Sequence, residues 1–205
     1  MKKTLATGLA ILSLAVVPAQ AATTHIHIAG FAFSPNTVTV TTGDSVNWDN
    51  HDGFNHTVTS DTGAFGAAMP PGSQFTITIV APGTYAYHCS IHPSMTGSIT
   101  VTGAAIAPSA PTGATAAPGT APGTIALSWH APATIGVSAY RIYRGTSPGA
   151  ETFYATSTST SYTDSAANIL TTYHYKVSAT NSGGESARSN EVCSKPFPWF
   201  AALGC

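Results

Sequence analysis

The stretch Tyr87-His88-Cys89-Ser90-Ile91-His92-Pro93-Ser94-Met95 sets a thiol, an imidazole and a thioether at successive three-residue steps. A one-electron couple such as Cu(I)/Cu(II) needs soft sulfur, borderline imidazole and a geometry that both oxidation states accept. Two His and one Cys in a trigonal plane, with a long axial Met, meet that need. Cys89, His92 and Met95 offer three of the four donors from one tight loop. The fourth has to arrive from a distant part of the chain, and His56, in Asn55-His56-Thr57-Val58, is the expected donor. The expected centre is therefore one copper ion held by His56, Cys89, His92 and Met95.

A rigid frame must bring His56 to that loop, and the chain reads as all-β. Runs such as Thr37-Val38-Thr39-Val40 and Thr76-Ile77-Thr78-Ile79 alternate apolar and polar residues with period two and are rich in β-branched side chains. No sustained helical period appears beyond the first twenty residues. Strands are expected near His25 to Ala29, Thr37 to Thr41, Ser45 to Asp49, His56 to Ser60, Gln74 to Val80, Thr84 to Cys89 and Ser98 to Thr102, separated by Gly, Pro, Asn and Asp. Seven short strands with such punctuation argue for a two-sheet sandwich. The segment from Cys89 to Met95 then caps one end of it.

On these residues the chain resembles a known family. Tyr87 to Val101 (YHCSIHPSMTGSITV) is similar to the copper loop of the cupredoxins, and most to that of amicyanin, with its short spacing and a Pro after the loop His; pseudoazurin shares the spacing. The resemblance spans roughly residues 24 to 102. It implies a Greek-key β-sandwich, His56, Cys89, His92 and Met95 as copper ligands, and electron transfer as the function. One position departs: the family often carries Asn directly after the first ligand His, where it ties the two ligand loops together, and this chain has Thr57. A hydroxyl can make the same tie.

The start of the chain, Met1-Lys2-Lys3, an apolar run from Leu5 to Val17, then Pro18-Ala19-Gln20-Ala21, has the three parts of a secretory signal peptide over residues 1–21. The apolar run is short for a bilayer span. Export to the periplasm or the extracellular space is expected, with no stable membrane insertion after cleavage. Residues 22–103 would form the cupredoxin domain and the Ala- and Pro-rich residues 104–108 a semi-extended linker. A second β pattern follows, near Thr124 to His130, Ala139 to Arg144, Thr152 to Thr156, Tyr162 to Asp164, Thr172 to Thr180 and Ser186 to Cys193. With Pro111-Thr112-Gly113 at its start and Leu127-Ser128-Trp129 early on, it resembles a fibronectin type III β-sandwich over residues 109–194. The resemblance implies Trp129 as the core indole and Tyr173 at the tyrosine corner. Its binding partner is not legible, and no Arg-Gly-Asp is present. Residues 195–205 form a tail, and in an oxidising compartment Cys193 and Cys205 are expected to pair.

Charged residues make up 7% of the chain and the formal net charge is −1, so no basic face exists to hold nucleic acid. His88 precedes the ligand Cys, as in copper nitrite reductases, but strand neighbours point to opposite faces and the additional His of such enzymes is not supplied. A hydrogen-bonded surface His is expected there, and the protein is expected to be a carrier and not an enzyme. His25 and His27 share one face of the first strand and offer a surface metal pair. His51, His130 and His174 lack partner spacing and are expected to be solvated, while Asp49, Asp52 and Asp61 are expected to form turns. The collar around His92 is expected to include Pro93, Phe54, Phe65 and Pro70, where a redox protein partner would dock. Two other functions remain open: copper binding and delivery through the same four residues without a redox partner, or a surface binding module that uses the fibronectin type III domain, with copper as an accessory.

Overall fold

The computed structural model describes residues 21–196. The signal-peptide reading, and the Cys205 half of the expected disulfide, lie outside the described residues. Cys193 is disulfide-bonded.

Nine strands come first: β1 (Thr23–Ala29), β2 (Ala32–Ser34), β3 (Thr37–Thr41), β4 (Ser45–Asn50), β5 (His56–Ser60), β6 (Gly66–Met69), β7 (Gln74–Ile79), β8 (Gly83–His88) and β9 (Thr96–Thr102). They form two sheets, β7-β4-β1-β2 and β3-β9-β8-β5-β6. The chain crosses between the sheets, so β1 and β4 run parallel, as do β3 and β9. Each sheet turns its apolar positions inward. In β1, Ile26 and Ile28 are fully buried while His25 and His27 face outward. Trp48 at the centre is fully buried and meets Phe75, Phe65 and the edge of Tyr87 at ring separations of 5.8, 5.7 and 5.3 Å. Tyr87 lies directly opposite Gly97, where a Cβ would collide with the phenol ring. A glycine at that point therefore lets β8 and β9 close just before the Cys89 loop.

The second set is β10 (Thr112–Pro118), β11 (Ile125–His130), β12 (Thr134–Ile135), β13 (Ala139–Gly145), β14 (Thr152–Ser157), β15 (Ser161–Asp164), β16 (Tyr173–Asn181), β17 (Gly184–Glu185) and β18 (Val192–Ser194). Sheets β10-β11-β15 and β14-β13-β16-β17, with β18 also on β16, enclose a separate core of Trp129, Tyr140, Ile142, Tyr175 and Val177. The protein is thus two β-sandwiches, each with its own apolar core. Trp129 is buried and meets Tyr140 edge-on. Tyr173 begins β16 and its hydroxyl accepts the Asn168 amide at 3.2 Å, the backbone bond of a tyrosine corner.

Ser186 to Cys193 is not the continuous strand its pattern suggests. The Ser186 and Ser189 hydroxyls accept the Ala179 and Val177 amides, at 2.9 and 3.0 Å, so side-chain oxygens replace ladder carbonyls and regular pairing resumes only at β18.

Residues 104–108 are anchored on both sides. Ile106 N donates to Val80 O and Asn181 Nδ2 donates to Ile106 O, at 3.0 and 2.9 Å. From the second sandwich, β12 pairs in parallel with β7 and extends the first sandwich's sheet, with Ile135 packed against its core.

Candidate metal centre

His56 opens β5, and Cys89 follows the last residue of β8. The antiparallel β5/β8 pairing lays these two positions at the same end of the sheet. After Cys89 the chain makes a single turn, closed by Met95 N donating to His92 O at 2.9 Å and by Cys89 N donating to Met95 O at 3.0 Å. That turn brings His92 back over Cys89. The Nδ1 atoms of His56 and His92 lie 3.1 Å apart, and each is 3.8 Å from Cys89 Sγ.

The point equidistant from these three atoms lies about 2.1 Å from each, close to first-row metal–nitrogen and metal–thiolate bonds of about 2.0–2.3 Å. Two imidazole nitrogens and a thiol sulfur, which binds metals as thiolate, are also a matched donor set for such a metal ion. The donor set therefore fits a single soft or borderline cation.

The surroundings prepare these donors. The His56 side chain is fully buried, and its Nε2 donates to Asp52 Oδ2 at 3.0 Å, which leaves the Nδ1 lone pair for the centre. Asp52 also accepts the Gly30 and Phe31 amides, at 2.7 and 3.0 Å. These two backbone bonds, from Phe31 and Gly30, hold its carboxyl below the ordinary carboxylate range. Gly30 and Phe31 both have positive φ, 60° and 58°. This two-residue hairpin turn between β1 and β2 costs strain at Phe31, and the Asp52 carboxylate braces it. Thr57 N donates to Cys89 Sγ at 3.3 Å, which favours the thiolate. The Thr57 hydroxyl accepts Ser90 N at 2.7 Å and shares a hydrogen bond with Thr59 Oγ1, which in turn meets Ser90 Oγ. Thr57 thus ties the two loops at the position where Asn is common in the resembled family.

Met95 is 2% exposed, in the core beneath the loop. Met69, also buried, pairs with His56 in register, and its sulfur lies 4.0 Å from the Ser73 hydroxyl. His92 is partly exposed and meets the edge of Phe31 at 4.9 Å. Phe31 in turn meets Phe54 at 5.2 Å, and Phe31, Phe54 and Ile91, the chain neighbour of His92, are 45, 59 and 52% exposed. Phe65, expected in this collar, is instead buried against Trp48, because its position just before β6 turns inward. Sequence reasoning missed Phe31; the Gly30-Phe31 turn was its available signal.

Two of the outlying histidines also differ from expectation. His88 is the hydrogen-bonded surface residue foreseen, 2.6 Å from Asp61. His174, however, is buried and paired with Glu191 at 2.9 Å, and the Lys176 ammonium already fills the space between Glu151 and Glu191. His51 lies against Asp49 and His27 instead of standing alone in solvent. Asp52 proves to be a partner of His56 as well as a turn former.

A β-sandwich whose end loops converge two imidazoles and a thiolate is a frame for a mononuclear metal centre. A family model described as the cupredoxin-like domain matches residues 4–101. Amicyanin-alpha of Methylorubrum extorquens is 31% identical over 93 residues, covering 42% of this chain and 78% of that protein. The chloroplastic plastocyanin of Oryza sativa subsp. indica is 32% identical over 83 residues, 34% of this chain and 54% of that protein. The chain thus spans about half the length of that plastocyanin. The chain belongs to the cupredoxin family. Among solved structures, an Fn3-like protein from Clostridium thermocellum is 37% identical, covers 44% of this chain and 96% of its own, and superposes with a TM-score of 0.40.

Proposed function

We propose that this chain is an exported mononuclear blue-copper protein that transfers electrons by an outer-sphere route, with His56, Cys89, His92 and Met95 as its ligands. The observation that carries this reading is the triangle of two Nδ1 atoms and one Sγ, sized for one ion and assembled from two loops of a rigid sandwich. Copper bound there would supply the one-electron Cu(I)/Cu(II) couple.

The protein's part is to keep the donors still. Asp52 fixes the His56 ring, Thr57 locks the His56 and Cys89 loops together, and the Thr57 amide stabilises charge on sulfur. Burial of His56 and Met95 excludes water from one side. His92 reaches the surface among Phe31, Phe54 and Ile91, a small apolar face suited to brief docking of a redox protein, which approaches closely and leaves quickly. This is the proposed exit route for the electron. Export is supported by the signal-like residues 1–21. Among the described residues no helix is long and apolar enough to cross a membrane. Residues 22–103 carry the centre, 104–108 join the units, and 109–194 form an accessory module whose partner is a separate question.

Voltammetry of the copper-loaded protein tests the electron-transfer role. A reversible one-electron wave with fast exchange supports it. A metal that binds but exchanges electrons slowly points instead to copper storage or delivery. Met95→Leu should raise the potential, because loss of a weak axial donor disfavours Cu(II); an unchanged potential would remove Met95 from the ligand set.

A further inference from the structure

We propose that His27, Asp49 and His51 form a second, exposed metal site for a divalent first-row cation, with Zn(II) and Cu(II) as the best-matched ions. The strands build it directly. His27 on β1 stands opposite Asp49 on the parallel strand β4, and His51 follows Asp49 by two positions, on the same side of the extended chain. His27 Nδ1 lies 2.6 Å from Asp49 Oδ1, His51 Nε2 lies 3.0 Å from the same oxygen, and the two nitrogens are 3.1 Å apart. The two imidazoles are 51 and 58% exposed and the carboxylate 16%, so the ligands are open to solvent on a fixed base.

These three contacts cannot all be hydrogen bonds. If both nitrogens carry protons and donate to Asp49, two donors face each other at 3.1 Å. If one nitrogen is bare, its lone pair faces either a carboxylate lone pair or a proton already committed elsewhere. A cation satisfies all three at once. The in-plane point equidistant from the three atoms is only about 1.7 Å from each, so an ion at a bond length of about 2.1 Å rests roughly 1.2 Å off the plane. That is a facial two-His, one-carboxylate arrangement with its remaining positions open to water. Imidazole and carboxylate together suit borderline divalent ions, and Cu(II) binds such donors more tightly than Zn(II). No thiolate is present among these ligands, so the site differs in chemistry from the buried centre.

The test uses Zn(II), which has one oxidation state, titrated into the full chain carrying Cys89→Ala. That variant lacks the buried sulfur, so the result does not depend on the copper reading. Calorimetry should show one equivalent bound per chain. The ring nitrogen signals of His27 and His51 should shift in nuclear magnetic resonance spectra, ahead of those of His56 and His92. His51→Ala and Asp49→Asn should each weaken binding by tenfold or more, and His130→Ala should leave it unchanged. Zn(II) that shifts only the His56 and His92 rings, or binds His51→Ala as tightly as the parent, overturns the proposal. Binding lost equally in His130→Ala overturns it too, since that would mark nonspecific surface adsorption.

Discussion

Replacing Thr57 by Val isolates the tie between the two ligand loops. Val keeps the β-branched shape that suits β5 and keeps the amide that donates to Cys89 Sγ, so only the hydroxyl is lost. That hydroxyl accepts the Ser90 amide at 2.7 Å and anchors the link through Thr59 to the Ser90 hydroxyl. Ser90 is exposed, so water can replace part of what it loses. The net cost of a partly solvated hydrogen bond is then about 0.5–1.5 kcal/mol. For a unit of this size that corresponds to a fall in melting temperature of roughly 2–12 °C. The assay is thermal unfolding of the metal-free parent, Thr57→Val and Thr57→Asn chains, followed by the visible spectrum of each loaded with Cu(II). Thr57→Val should melt lower yet stay coloured, and Thr57→Asn should recover most of the loss. A Thr57→Val chain with unchanged melting would show that the hydroxyl carries no strain-bearing tie. A Thr57→Val chain that loses colour would show that the hydroxyl, and not the amide, sustains the sulfur.

Asp52→Ala should weaken metal binding by about 10–100-fold, as removal of a ligand's orienting carboxylate does, and should loosen the Phe31 turn that the same carboxylate braces; competition with a chelator measures it, and parent-like affinity would contradict the role. Gly97→Ala forces a methyl into the Tyr87 ring and should cost about 1–3 kcal/mol, read as a lower urea midpoint; an unchanged midpoint would mean β8 and β9 can part freely. At Asp164, burial pushes the carboxyl up, but hydrogen bonds from Arg144, Tyr175, the Ala166 amide and Tyr154 outweigh it and hold the carboxyl low. Its stabilisation is therefore complete above the ordinary carboxylate range and is lost as pH falls through the lowered value. Asp164→Asn should destabilise the second sandwich by about 3 kcal/mol, by stranding Arg144, and should flatten that acid dependence; urea unfolding at neutral and acidic pH distinguishes the two chains.

The convergence of His56, Cys89 and His92 was legible because chemistry constrains types and spacing at once: few roles other than metal binding call for a thiol and an imidazole three residues apart at a strand end. The two-sandwich fold followed from period-two alternation, which marks β1, β3, β4, β7 and β11 well. Strands without that signature escaped. β2 is only three residues, Ala32–Ser34, β6 is built largely on Gly and Ala, and β12 is two residues whose pairing with β7 depends on a distant sandwich. The sequence marks Asp52 only as a turn residue, because its reach to His56 runs through an irregular loop, where no period relates the two. The His27, Asp49 and His51 group escaped for a related reason. Asp49-Asn50-His51 has the right spacing, but only the parallel pairing of β1 with β4 shows that His27 stands opposite it.

The central claim is that His56, Cys89 and His92 hold copper through a thiolate bond. Adding Cu(II) to the metal-free full chain and to Cys89→Ala, and recording the visible spectrum against equivalents added, tests it most directly. The parent should develop one intense thiolate-to-copper charge-transfer band that saturates at one equivalent, while Cys89→Ala stays uncoloured. A parent that gains only the weak absorption of copper on nitrogen and oxygen ligands, or a Cys89→Ala chain that turns equally blue, would contradict it.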